Sequence, residues 1–200
     1  MSRQDVPSRM HIDPSGSLIG GTRTYVKRLE DMASVYFDAD AFGAALRRTG
    51  GRTVVYEVRE QSYSSEPGGL IVGTSRLRPG MIGDEFAVTR GHLHAISNRA
   101  ELYHCLSGHG VMLLETVDGA SETVELRPGD AVNVPGDWIH RSVNVGAEDF
   151  VTVFSYSADA GQDYSIISDA GGMVRRIVAV GADGWAAVPN SRHRGYRVVA

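Results

Sequence analysis

A chain of 200 residues with 42% hydrophobic residues has the length and composition of one globular domain with its own core. The net charge of −4 comes without a block of like charges, which excludes the electrostatic footprint of a nucleic-acid or acidic-membrane binder and leaves small molecules and proteins as partners. Cys105 is the single cysteine, so an internal disulfide is excluded; with no apolar stretch near Met1 long enough for a leader or a span, a cytoplasmic compartment is expected.

Residues 1–21 are polar, carry Pro7, Pro14 and Gly20-Gly21, and read as an arm without regular structure; residues 22–200 read as one domain. The next change of pattern predicts a short helix capped by Asp40, running through Phe42, Ala45 and Leu46 and closed by Gly50-Gly51. From Arg52 the chain becomes short apolar runs cut by glycine, proline or Asp-Gly. The predicted strands are Thr53–Arg59, Leu70–Leu77, Glu85–Thr89, Glu101–Leu106, Val111–Val117, Ser121–Leu126, Ala131–Val134, Phe150–Tyr156, Met173–Val180 and Tyr196–Val199. Asp118-Gly119 is placed as a hairpin turn. Without alternating long helices, an all-β fold is expected, an antiparallel double-sheet jelly roll. Cys105, between apolar neighbours, reads as a buried small hydrophobe.

His92 and His94 are two residues apart, so on extended backbone both imidazoles share one face, as two ligands of one ion require. Glu101 follows after a connection short enough to return a carboxylate to that face. His140 lies in the run Gly129-x5-Pro135-x4-His140-x3-Asn144. Together with His92-x-His94, Glu101 and Gly108, this run resembles the paired motifs of the cupin superfamily. Two departures are a longer His94–Glu101 spacing and Asp137 where many cupins have glycine. Three imidazoles and a carboxylate suit one divalent transition metal, such as iron, manganese, nickel, cobalt or zinc, better than calcium or magnesium, and the sequence does not choose among them.

A narrower resemblance is carried by Thr89-Arg90-Gly91-His92, Glu101-Leu-Tyr103, Ile139-His140-Arg141-x-Val143-Asn144 and Tyr156-x-Ala-Asp-Ala-Gly161-Gln162-Asp163-Tyr164. These segments look like the cupin-type glucose-6-phosphate isomerases, and the likeness runs from about residue 22 to 195, including Phe37-Asp38 and Pro189-Asn190-x-Arg192. The resemblance implies a homodimeric jelly roll, metal bound by His92, His94, Glu101 and His140, and a sugar-phosphate substrate. Its phosphate would meet Ser75, Thr89, Gly91 and Tyr164, with Arg90 adding charge. Tyr103 and Tyr156 are placed in the pocket, and Glu101, Tyr156 and Gln162 are the catalytic candidates. Gln162 replaces a histidine common in that family, and glutamine cannot shuttle protons near neutral pH. The alternatives are another metal cupin enzyme, such as an oxygenase, and a binding protein that holds a sugar phosphate without turnover. His11, His104, His109 and His193 read as structural, and Trp138 and Trp185 as packing residues.

Overall fold

The alternating runs after Arg52 form two facing sheets in the computed structural model, which describes residues 7, 9–21, 23–182 and 184–197. A hairpin of β1 (His11–Ile12) and β2 (Leu18–Ile19) precedes β3 (Arg23–Arg28), a 3-10 turn (Leu29–Met32) and α1 (Ala39–Thr49). Next come β4 (Val54–Ser62), β5 (Leu70–Leu77), β6 (Met81–Ile82), β7 (Glu85–Val88), β8 (Glu101–Ser107) and β9 (Gly110–Thr116). Then follow β10 (Ser121–Leu126), β11 (Ala131–Val134), β12 (Trp138–Asn144), β13 (Phe150–Ser157), α2 (Ser165–Asp169), β14 (Arg175–Val180) and β15 (Gly184–Pro189). The first sheet has the order β11-β8-β13-β5-β4-β3; the second runs β10-β9-β12-β7-β14-β15, with β6 paired to β7. All pairings within the two sheets are antiparallel, the double-sheet jelly roll expected.

The period of two decides what faces the interior. On β8, Glu101, Tyr103 and Cys105 are buried while Leu102 is exposed. Across the first sheet Tyr103 pairs with Phe154, and Glu101 pairs with Tyr156, so one row of inward side chains is set by register alone. Gly73 lies opposite Phe154, and a Cβ there would stand 2.3 Å from the Phe154 ring. Cys105 is fully buried, its thiol pushed up to about 11 by burial, in keeping with a packing role.

Several expectations are corrected. Asp38, not Asp40, caps α1, its carboxylate accepting from the Ala41 N–H at 2.8 Å, and Gly50 at φ 77° closes it. The described part of the arm is not irregular: β1 pairs with β2, Leu18 is buried, and the Gly16 carbonyl accepts from the Thr74 hydroxyl at 2.6 Å. β3, β12, β15 and α2 were not foreseen. β12 is buried from Ile139 to Asn144 and so lacks the alternation that marks a half-exposed strand. No strand forms at Tyr196 or Arg197, and Val198 and Val199 lie outside the described residues. Tyr196 is instead anchored by its phenol, which donates to Glu115 at 2.5 Å. Among the described residues no helix is long and apolar enough to cross a membrane.

Candidate metal centre

The four expected ligands converge from both sheets. Glu101 opens β8 of the first sheet, His140 lies on β12 of the second, and His92 and His94 occupy the segment after β7. Reciprocal backbone hydrogen bonds between His92 and His140, at 3.0 and 3.1 Å, lock those two residues side by side. All four residues are buried, and one ligand atom of each lies within 4.8 Å of the others. His140, His94 and His92 bring Nε2 to 3.0, 3.2 and 3.8 Å from the same Glu101 oxygen, Oε2.

Hydrogen bonds behind the rings show that this group suits a cation. The Nδ1–H of His94 donates to the Arg99 carbonyl at 2.7 Å, and that of His140 donates to the Trp138 carbonyl at 3.0 Å. A carbonyl only accepts, so Nδ1 carries a proton and Nε2 is the nitrogen each ring turns inward. His92 Nε2 is buried with no hydrogen-bond partner among the described residues. Four inward ligand atoms thus face one another in a dry site, which is unfavourable without positive charge among them, whether a shared proton or an ion. Neighbouring ligands of an ion with bonds of ~2.1 Å stand roughly 3 Å apart, the spacing found between Glu101 and its two nearest imidazoles.

Ionisation in the metal-free protein follows the same geometry. Burial alone would raise the Glu101 carboxyl, but the contacts with His140 and His94 outweigh it and hold the group well below the usual carboxylate range. Burial and the neighbouring His140 keep His92 neutral. Burial, the largest single effect, lowers His94, but the hydrogen bond and charge of Glu101 together with the Arg99 carbonyl raise it overall. An incoming ion displaces the proton from that contact.

His92, Glu101 and His140 line a cleft, and His94 completes the group without lining it. Ser75, Thr89, Gly91, Tyr103, Tyr156, Gln162 and Tyr164 line it; Arg90 does not, its guanidinium lying 5.3 Å from the centre of the Tyr164 ring at the rim. Thr89 accepts from the Ser142 N–H at 3.1 Å through its hydroxyl oxygen, leaving the hydroxyl proton available. Gly91, at φ 72°, is required by space as well as backbone: a Cβ would stand 2.9 Å from the His140 carbonyl. Gln162 accepts a hydrogen bond from the Tyr164 hydroxyl. The adjacent Asp163 exchanges two backbone hydrogen bonds with Leu93, between the two histidines.

The family model described as glucose-6-phosphate isomerase matches residues 26–194. A glucose-6-phosphate isomerase of Sinorhizobium medicae is 45% identical over 97% of this chain and 91% of its own. The enzymes of that name from Thermococcus gammatolerans and Pyrococcus furiosus are 41% and 39% identical, each over 82% of this chain and 86% of theirs. The chain belongs to the glucose-6-phosphate isomerase family.

Within this family framework, the structure brings together side chains to which the sequence reading gave no role. Tyr25, Tyr56, Arg141 and Ser142 also line the cleft. The period of two on β4 was the available signal for Tyr56, which shares a face with Val58; Tyr25 comes from a strand not foreseen. Five phenols, Tyr25, Tyr56, Tyr103, Tyr156 and Tyr164, are all raised above the ordinary tyrosine value, burial being the first cause of each. At neutral pH they are O–H groups, able to donate to an anion. Asp137 sits at φ 68°, which explains the glycine common there in cupins: the turn into β12 needs a left-handed residue, and aspartate tolerates that conformation. His11, His104, His109 and His193 lie outside the ligand group; His109 pairs with Glu125 at 2.8 Å and His193 holds the Gly172 carbonyl.

Proposed function

We propose that the chain is a metal-dependent aldose-ketose isomerase interconverting glucose 6-phosphate and fructose 6-phosphate in glycolysis and gluconeogenesis. The observation that carries the reading is the meeting, in one cleft, of a cation-requiring His3Glu group with hydroxyl and backbone donors suited to a phosphate. Moving a carbonyl between C1 and C2 requires removal of a proton beside it and stabilisation of the enediolate. A divalent ion held by His92, His94, Glu101 and His140 supplies the Lewis acidity for the second requirement. Iron is the ion proposed first.

Ser75 and Thr89 donate hydroxyls to the phosphate, Tyr164 does so by turning its proton from Gln162 to a phosphate oxygen, and Gly91 admits the phosphate close to the backbone. Tyr103 and Tyr156, held neutral by burial, position substrate oxygens as donors rather than as bases. Glu101 is ionised and is the only carboxylate of the ligand group, so it is the proposed base. Ligation and proton abstraction compete for its lone pairs, and exchange of one carboxylate oxygen reconciles them. Gln162, bonded to Tyr164, orients rather than transfers protons. The working form is proposed to be a cytoplasmic homodimer.

The test is to strip the protein of metal and restore each divalent ion in turn, with fructose 6-phosphate and mannose 6-phosphate as substrates. Production of glucose 6-phosphate from fructose 6-phosphate is expected, falling about 10²-fold or more in Glu101→Gln with metal bound. Silence with every ion would sink the isomerase reading, and consumption of oxygen would favour an oxygenase.

A further inference from the structure

Arg141 lines a second cleft as well as the metal cleft. This second cleft lies among the chain after the 3-10 turn, α2, the start of β14 and the segments flanking β14 and β15. Five arginines line it, Arg141, Arg175, Arg176, Arg192 and Arg194, against one carboxylate, Glu85. That carboxylate is already engaged: it accepts from the Phe37 N–H at 2.6 Å and faces Arg176 at 3.7 Å. Arg192 and Arg176 both pack on the Phe37 ring, at 4.5 and 4.1 Å, which holds two guanidinium groups close together at one end. Asn190 is fixed by bonds to the Gly171 and Met173 carbonyls.

The deepest of the five carries the argument furthest. Arg141 is only 7% exposed, and no carboxylate forms an ion pair with it among the described residues. The carboxylate of Glu115, on the strand beside it, is taken up by the Val174 and Arg175 N–H groups and the Tyr196 hydroxyl. Arg141 donates to the Arg90 carbonyl at 2.7 Å, but its Nε is buried without a partner. A buried guanidinium with an unmatched charge calls for an anion nearby. Arg176 is matched by Asp84 at 3.3 Å and Glu85, but the other guanidinium groups around the concave wall would repel one another unless the cleft receives negative charge.

We propose that this second cleft is a binding site for a compact, multiply charged phosphate-type anion, either inorganic or carried by a small metabolite, separate from the substrate cleft and sharing Arg141 with it. Guanidinium groups match phosphate oxygens in pairs, which favours phosphate over a simple carboxylate. Arg141 bonds the Arg90 carbonyl, next to the Thr89 and Gly91 phosphate contacts, so occupancy of one cleft changes the field felt in the other.

The proposal is tested with inorganic pyrophosphate by calorimetry on the metal-loaded full chain at low salt, where screening is weakest. Wild type is expected to bind two equivalents per chain. The double variant R175Q/R192Q is expected to bind one, with the lost site weakened roughly tenfold or more, the equivalent of one charged hydrogen bond. R175K/R192K, which keeps the charge, is expected to retain a weaker second site, and a matched melting temperature checks that the variants fold. Equal stoichiometry in wild type and R175Q/R192Q would overturn the proposal and leave the arginines a packing role. Turnover of sugar phosphate is read on the same samples, so loss of the second site is separable from loss of isomerase activity.

Discussion

Gln162 is the residue at which the site departs most from its family resemblance. Its side-chain oxygen receives the Tyr164 hydroxyl, so it holds that phenol in place, while its amide does not titrate. Imidazole at the same position could keep that hydrogen bond and titrate near neutrality. Gln162→His is therefore expected to raise kcat on glucose 6-phosphate by about tenfold, within the range general acid-base groups supply, with KM little changed. No gain, or a loss, in steady-state assays would mean that glutamine suits a different sugar phosphate. The four ligands were legible in the sequence because their spacings coincide with motifs read as a set. Tyr25, Tyr56 and Arg141 were not, since each reaches its cleft by pairing of strands far apart in the chain rather than by local pattern.

At the scale of elements, the connection from His94 to Glu101 shows how a longer loop is made rigid. Arg99 uses its backbone carbonyl to orient His94 and its guanidinium to grip Asp159 by two bonds, 2.6 and 3.0 Å. Hydrogen bonds from Arg99 and Ser157 hold the Asp159 carboxyl well below its ordinary value. A depressed carboxylate stabilises the fold above its unfolded pKa, near 3.8, and loses that contribution as pH falls toward the folded value. Asp159→Asn is expected to weaken metal binding by about 10-fold, as loss of an outer support does, and to flatten the pH dependence of stability below pH ~4. Chelator competition and melts across pH measure the two effects; unchanged metal affinity would show that Arg99 needs no anchor. Gly91 presents the opposite case, a position where nothing may be added. Gly91→Ala places a methyl 2.8 Å from Ile167 and 2.9 Å from the His140 carbonyl, at a positive φ. The cost is about 2–4 kcal/mol, seen as a fall of roughly 5–15 °C in Tm together with a raised KM. Helix α1 was legible from its glycine stop, but its cap was misplaced because Asp38 and Asp40 are equally good acceptors and only the geometry selects one. Strand β12 escaped because burial on both faces erases alternation.

For the whole molecule, the double-sheet architecture was legible from the rhythm of short strands and turns, whereas the order of strands within each sheet was not. Long-range pairings such as β3 with β4 and β7 with β14 depend on contacts that no local signal encodes. Metal is expected to contribute to stability as a ligand of the native state alone. A thousandfold excess of free ion over its Kd adds about 4 kcal/mol, or ~8–16 °C in Tm for a chain of this size. Scanning calorimetry of stripped and reconstituted protein measures this directly, and coincident melts would show that the His3Glu group holds no ion.

The candidate ligands span the two sheets, Glu101 from one and His140 from the other, so an ion joining them would act as a rivet between halves that also meet through apolar contacts and the Asn144–Leu77 hydrogen bond. With such an ion bound, the sheets would part only as the rivet is lost, and how long a sample endures at a given heat would be timed by the escape of the metal. Two preparations of identical sequence, loaded with different ions, would age at different rates.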